Sequence, residues 1–262
     1  MRVVDLDRDM SDVIPTGTSP DSEYLFQRMT DRTIELAAPA SGRRILDVAS
    51  GVGQDSIRMA VEGADVIGAE PSARMLGMAG FIAAKEKLPE PTWVRGWGDH
   101  LPFATGSFDA VICKGALDHF DRPDEAIGEM ARVTRPGGRV VLAIANFESL
   151  ACRTGRLLDE LRQDMRRKGV IRSRRSYDCP SDHFTRYELE LMREQAGRHL
   201  ELEVVDGVSL LWGAPGWSRI VESLPADTGQ HLLRACDAIA RRWPTLADVV
   251  LLAGRPRRSG SN

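Results

Sequence analysis

The chain has 262 residues, of which 28% are charged, and its formal net charge is −3. This length is sufficient for one α/β domain with a buried core. The nearly balanced charge gives no overall field to attract nucleic acid or an anionic membrane, so neither is an expected partner. No apolar run approaches the roughly 18 residues that span a bilayer, and the first residues include acids where a secretion signal would be apolar.

The four cysteines show neither C-x-x-C pairing nor a metal-ligand spacing with the five histidines. That pattern is typical of reduced thiols in a cytoplasmic protein, which is the localisation we expect. We expect no metal site.

Residues 1–40 precede the first predicted strand, and their apolar spacing predicts one or two amphipathic helices that form an N-terminal lid on the domain. From 44 to 146, apolar β-rich runs alternate with helical patterns, and the Arg135–Gly138 segment predicts the turn into the fifth strand. Such alternation predicts a parallel sheet covered by helices on both faces. The predicted strands lie near 44–49, 65–69, 92–96, 109–113 and 138–145, and the predicted helices near 53–62, 72–86 and 123–134.

Residues 147–183 interrupt the alternation and are predicted to form a cap insertion. From Arg153 to Arg175 there are nine Arg or Lys residues and three Asp or Glu residues. This basic segment has two interpretations, a surface that binds an anionic small molecule or a solvated helix with a loop. It contains too few aromatic residues to favour RNA docking.

Residues 184–255 are predicted to complete the sheet. Thr185–Glu188 has the form of a capping box, which predicts a helix that extends to about Ala196. Strand-like runs at Leu200–Val205 and Ala247–Ala253 flank a helical stretch at 216–242.

The most informative segment is the strand and turn at residues 44–56. The apolar strand leads into a turn with Gly51 and Gly53, and a helical pattern follows. Glycines let the backbone approach a ligand, and a helix N-terminus offers free N–H groups. Asp47 precedes the glycines, and Ser56 stands where a dinucleotide-binding turn has its third glycine. This pattern favours a smaller nucleoside ligand over a bound pyrophosphate.

Asp47, Glu70 and Asp99 lie at or just before the carboxyl ends of the first three predicted strands, where open α/β sheets bind ligands. A carboxylate after the second strand can accept hydrogen bonds from both ribose hydroxyls, and a third can accept one from a purine amine. The alternatives are structural: Glu70 or Ser72 caps the next helix, and Asp99 forms a turn.

These motifs occur in a fixed order: Leu-Asp-x-Ala-x-Gly-x-Gly, Glu70, Gly-Asp-x-Leu-Pro-Phe, Ser-Phe-Asp and Arg-Pro-Gly-Gly. In this order, residues 44–146 resemble the class I S-adenosylmethionine-dependent methyltransferases of the small-molecule type. The resemblance implies a Rossmann-like, doubly wound α/β sheet of seven strands, mostly parallel with an antiparallel last strand, together with a helical cap insertion. It also implies S-adenosyl-L-methionine as the cofactor. Ala49 departs from the family, which most often has glycine at this position.

The resemblance also assigns roles to individual residues. The glycine turn would pass the methionyl part, Glu70 would hold the ribose, and Asp99 would hold the adenine amine. Pro71 and His100 would flank the adenine, and the backbone of Lys114 would line the methionine end. The cofactor-binding residues implied in this way are Asp47, Ala49, Ser50, Gly51, Gly53, Glu70, Pro71, Asp99, His100 and Lys114.

Methyl transfer needs an acceptor atom about 3 Å from the methyl group, and a hydroxyl or acidic carbon must also lose a proton. The candidates for the base are Asp118 and His119, which follow the fourth strand, and His183 and Tyr187. The adjacent Asp118 and His119 suggest a catalytic dyad, and a structural loop histidine is the alternative. The expected acceptor is a small metabolite, a lipid-related molecule or a natural product with an oxygen, nitrogen or carbon nucleophile.

Lys114–Leu117 lacks the Pro-Pro-aromatic run of enzymes that methylate nucleic-acid amines, and Cys113 is expected to be a packed thiol. Two other functions remain open. One is an NAD(P)-dependent oxidoreductase, which Ser56 and Asp99 disfavour. The other is a regulatory module that binds the cofactor without catalysis.

Overall fold

The structure is a computed structural model that describes residues 19–166 and 184–257. In these ranges the strands are β1 (Arg44–Val48), β2 (Asp65–Glu70), β3 (Thr92–Arg95), β4 (Phe108–Lys114), β5 (Thr134–Ala145), β6 (Leu200–Val208) and β7 (Val249–Pro256). The α-helices are α1 (Pro20–Ala37), α2 (Gln54–Val61), α3 (Ala73–Glu86), α4 (Pro123–Val133), α5 (Leu150–Arg166), α6 (Leu189–His199), α7 (Trp217–Ser223) and α8 (Ala226–Arg242).

The seven strands form one sheet in the order β3-β2-β1-β4-β5-β7-β6. The pairs from β3 to β5 are parallel, and β7 runs antiparallel to both of its neighbours. This topology confirms the predicted doubly wound α/β fold with an antiparallel last strand. The strand order reverses between β1 and β4: the chain adds β2 and β3 on one side of β1, and β4 and β5 on the other. The carboxyl ends of β1 and β4 therefore form a crevice where a ligand can bind.

Helices cover both faces of the sheet. Ile112 and Cys113 are neighbours on β4 and point to opposite faces, as strand geometry requires. Ile112 packs in a cluster with Leu25 and Met29 of α1, whereas Cys113 packs with Ile127 of α4 and its thiol is buried. The lid role of α1 and the division of the chain into core and cap segments stay predictions.

No helix in the described ranges is both long enough and apolar enough to span a bilayer.

The predicted capping box at Thr185–Glu188 was wrong. α6 begins at Leu189, and its N-cap Glu188 makes no side-chain capping bond. The N–H groups of Phe184 and Thr185 donate instead to the carbonyl of Asp118, at 2.8 and 3.2 Å. Tertiary hydrogen bonds therefore hold this segment outside the helix, and the local pattern could not reveal them.

The predicted helical stretch at 216–242 is divided into α7 and α8. The break falls at Leu224–Pro225, where Leu224 and Pro225 have extended backbones. Because proline disfavours helical geometry in the residue before it, this break has a local cause.

The Ser-Phe-Asp and Arg-Pro-Gly-Gly motifs meet at the amino-terminal edge of the sheet. The Asp109 carboxylate accepts a hydrogen bond from Arg44 N at 2.7 Å and forms an ion pair with Arg135. β5 includes the predicted turn at Arg135–Gly138, where its pairing with β4 shifts in register: Thr134 pairs with Phe108, and Arg139 pairs with Ala110. These motifs therefore stabilise the sheet at the edge opposite to the predicted site.

Candidate active site

The glycine turn folds over the end of β2. The N–H groups of Ala49 and Ser50 both donate to the carbonyl of Ala69, at 2.8 and 3.2 Å. Ala49, Gly51 and Gly53 have φ angles of 58°, 55° and 77°. This left-handed conformation costs a residue with a Cβ roughly 1 kcal/mol. Position 49 thus favours glycine, as in the family, and the alanine there carries modest strain.

Gly51 and Gly53 serve different purposes. A Cβ on Gly53 would lie 2.3 Å from Cη2 of Trp93 and 2.9 Å from the Cβ of Ala79. A Cβ on Gly51 would meet only the Sδ of Met75, at 3.9 Å. Gly53 therefore makes room for the Trp93 indole under the turn, and Gly51 leaves an open surface that a ligand can approach. Trp93 was missed in the sequence because a strand tryptophan carries no specific signal.

Asp47 and Lys114 direct their side chains to the helices that flank the turn. The buried Asp47 carboxylate accepts a hydrogen bond from Ser56 Oγ of α2 at 2.6 Å. Lys114 Nζ lies 2.8 Å from Asp55 Oδ2 and donates to Thr30 Oγ1 of α1 at 2.6 Å. Burial, followed by the charge of Asp55, raises the pKa of Asp47 to about 7. Both side chains position the turn, and their direct contact with a cofactor stays a prediction.

Glu70 is fixed at the edge of the sheet by two backbone N–H groups. Gly51 N donates to its Oε2 at 3.1 Å, and Ser72 N donates to its Oε1 at 3.0 Å. Burial raises its pKa, and these two donors oppose the rise. Each oxygen keeps a lone pair for a further donor. The cap of α3 is Ser72, whose hydroxyl accepts from Met75 N at 3.2 Å, so Glu70 does not serve as the cap.

Pro71 and His100 lie near the two carboxylates. The carbonyl of Pro71 accepts a hydrogen bond from Arg95 Nε at 2.9 Å. The His100 side chain is exposed, and its backbone N–H donates to the Trp97 carbonyl at 3.1 Å. Their contact with an adenine ring stays a prediction.

The Asp99 side chain is 8% exposed and forms an ion pair with Arg122 at 2.8 Å, which the sequence did not reveal. The preceding Gly98 packs between the end of β1 and the segment that follows β4: a Cβ there would lie 2.5 Å from Cε2 of Phe120 and 3.2 Å from Cγ1 of Val48. This packing places the Asp99 loop beside the glycine turn of β1.

α4 holds the rest of the Gly-Asp-x-Leu-Pro-Phe loop. Leu101 N donates to Glu129 Oε2 at 3.0 Å. Arg132 donates to the carbonyls of Phe103 and Leu101, at 2.8 and 3.1 Å. Glu129 and Arg132 are therefore positioning residues for the loop, and they were missed because their partners are distant in sequence.

The candidate bases lie in different environments. Asp118 and His119 belong to a 3-10 helix at Leu117–His119, in which the Asp118 side chain is buried and that of His119 is exposed. Tyr187 is a core residue: it is fully buried, and its hydroxyl donates to Gln195 at 2.6 Å. Burial raises the pKa of Tyr187 far above its ordinary value, which disfavours it as a base. His183 lies outside the described residues, and the dyad of Asp118 and His119 stays a hypothesis.

Residues 46–142 match the Methyltransferase domain family. The demethylmenaquinone methyltransferase of Beutenbergia cavernae is 38% identical over 111 residues, which cover 42% of this chain and 44% of that relative. An uncharacterised methyltransferase of Mycobacterium tuberculosis is 36% identical over 109 residues, which cover 42% of each chain. The match thus spans less than half the length of each of these relatives.

Solved structures share the complete fold. A protein of Pyrococcus horikoshii superposes with a TM-score of 0.62 at 17% identity, over 95% of this chain and 99% of that one. The magnesium protoporphyrin IX methyltransferase of Synechocystis gives a TM-score of 0.60 at 16% identity, over 94% and 90% of the two chains. These comparisons show a methyltransferase domain over residues 46–142, within a fold that the solved structures share from end to end.

Proposed function

We propose that this protein transfers a methyl group from S-adenosyl-L-methionine to a small-molecule acceptor. The observation that carries the proposal is the Glu70 carboxylate, fixed by the N–H groups of Gly51 and Ser72 beside the open face of Gly51. A rigid carboxylate at a strand end is suited to a ribose diol.

The residues around Glu70 fit this cofactor. Gly51 leaves room for close approach of a ligand to the turn, and Ser50 Oγ is buried without a hydrogen-bond partner in the described residues. Asp99 lies at the next strand end, where it would accept the adenine amine. When bound, the cofactor supplies an electrophilic methyl group; the chain has to orient it and exclude water.

The charge at the start of α2 distinguishes this cofactor from a dinucleotide. Asp47 and Asp55 are both buried at this helix N-terminus, and Lys114 is the cation paired with Asp55. A pyrophosphate would meet carboxylates where dinucleotide-binding folds offer free N–H groups. Two carboxyl groups and one cation leave no excess positive charge for a pyrophosphate, which favours a methyl donor over NAD(P).

On the acceptor side, His119 is exposed after β4 and is our candidate to accept a proton from the acceptor. We also propose that the acceptor is anionic and that the protein works in the cytoplasm. The thiols of Cys113, Cys152 and Cys236 are buried and form no disulfide within the described residues, which supports this location. Of the basic segment, 167–175 lies outside the described residues.

The test is turnover with a fractionated extract of small metabolites. The protein is incubated with S-adenosyl-L-methionine and each fraction, and S-adenosylhomocysteine is quantified by mass spectrometry. We expect at least one fraction to support turnover that Glu70→Gln strongly reduces. Cofactor binding without turnover in any fraction would instead support the regulatory module.

A further inference from the structure

Three arginines surround one carboxylate where the chain leaves β5. Glu148 Oε2 lies 2.5 Å from Arg156 Nη2 and 3.6 Å from Arg153 Nε, and its Oε1 lies 2.7 Å from Arg186 Nη2. In the described part of the chain, Glu148 is the only acidic partner of these arginines. We call Arg153, Arg156 and Arg186 the arginine cluster; with Glu148 it carries a net charge of about +2.

The arginine cluster lies on the acceptor side of the sheet. Arg156 and Arg186 both donate to the carbonyl of Phe147, at 3.1 and 2.8 Å, directly after β5. Thr185, next to Arg186, donates its N–H to Asp118, the neighbour of His119. The cluster is therefore held at the same edge of the sheet as the candidate base.

One carboxylate does not neutralise three guanidinium groups. One pair would suffice to anchor the segment, and each further arginine adds repulsion unless another anion is present. The side chains of Arg153, Arg156 and Arg186 are 51%, 29% and 37% exposed, so a ligand can reach them. Guanidinium forks match the geometry of phosphate and carboxylate oxygens.

We propose that the arginine cluster binds an oxyanion of the acceptor, a phosphate or a carboxylate, and so orients the acceptor toward the methyl donor. Glu148 holds the guanidinium groups in place when no acceptor is bound. The identification of the bound anion as part of a methyl acceptor rests on the proposed function, but anion binding itself can be tested without turnover.

The test is calorimetric titration with inorganic phosphate and, in a separate arm, with acetate, at constant ionic strength. We expect saturable binding of at least one of the two anions, and the tighter one identifies the acceptor group. Arg153→Gln and Arg186→Gln should each weaken it about tenfold, because each removes a charge-assisted contact. Glu148→Gln should tighten it, because a competing carboxylate is removed.

Arg255→Gln is the matched control. Arg255 is 55% exposed and pairs with Glu203 at 2.6 Å, at the carboxyl end of β7 and hence at the opposite edge of the sheet. It should leave anion affinity unchanged. Equal affinity in the Arg153, Arg186 and Arg255 variants, no saturable binding of either anion, or weaker binding in Glu148→Gln would overturn the proposal.

A parallel titration with S-adenosylhomocysteine separates this proposal from the proposed function. We expect Arg153→Gln and Arg186→Gln to bind it like the unaltered protein. If the unaltered protein binds the anion but not S-adenosylhomocysteine, the proposed function fails and the anion site stands. If it binds S-adenosylhomocysteine but neither anion, only the anion site is rejected.

Discussion

At the scale of single residues, the carboxylates of Glu70 and Asp99 define the nucleoside part of the proposed site. If both hold hydrogen bonds to the cofactor, Glu70→Gln and Asp99→Asn should each weaken S-adenosylhomocysteine binding by about 1–3 kcal/mol. Calorimetry measures the loss. Asp109→Asn is the control, because Asp109 bonds Arg44 N at the opposite edge of the sheet. Unchanged affinity in both site variants would refute the assignment.

Gly51 and Gly53 make a second matched pair. Gly53→Ala should lower the free energy of unfolding by about 1–3 kcal/mol, since its Cβ would clash with Trp93. Gly51→Ala should lower the free energy of unfolding by only about 1 kcal/mol, since only its φ angle is unfavourable. Its loss of cofactor-binding free energy should be larger than this loss of stability. Denaturant unfolding and calorimetry separate the two effects. Cofactor affinity unchanged in Gly51→Ala would show that this face of the turn is not used.

Asp248 predicts a pH dependence of stability. Burial, together with the nearby Asp21, raises its pKa from 3.8 to about 7. Between these values the folded carboxyl keeps its proton and the unfolded one loses it, so the free energy of unfolding falls as pH rises. Asp248→Asn should therefore gain stability relative to the unaltered protein, by about 1–3 kcal/mol, between about pH 5 and about pH 8. Denaturant unfolding of both proteins at about pH 5 and about pH 8 measures this difference. The same stability difference between the two proteins at both pH values would contradict the prediction.

At the scale of elements, Lys114 joins α1 and α2 to the end of β4. Lys114→Met should destabilise the fold by about 3 kcal/mol, because Asp55 would keep a buried charge beside Asp47 with no cation. Thr30→Val removes only the contact with α1 and should cost about 1 kcal/mol. Denaturant unfolding measures both. A smaller loss in Lys114→Met than in Thr30→Val would show that Asp55 needs no partner there.

At the scale of the whole molecule, alternation of apolar runs and helical patterns was enough to predict the parallel part of the sheet, whereas the antiparallel last strand was expected only from the resemblance to a known family. The predicted strand at 65–69 and helix at 72–86 differ from β2 and α3 by one residue at an end. Apolar periodicity and glycine turns are local signals, and they are sufficient where each strand is buried on both faces.

Features that depend on distant partners could not be predicted. The start of α6 is set by the Asp118 carbonyl, the space under Gly53 by Trp93, and the environment of Asp99 by Arg122. The basic segment drew attention to residues 153–175 as a run. The structure adds Arg186, which joins Arg153 and Arg156 at Glu148 from a separate segment.

A calorimetric titration of the unaltered protein with S-adenosylhomocysteine and, separately, with NAD tests the methyl-donor site directly. The fixed Glu70 carboxylate and the acidic start of α2 predict saturable binding of one S-adenosylhomocysteine per chain and no binding of NAD. Binding of NAD with no binding of S-adenosylhomocysteine would contradict the methyl-donor site.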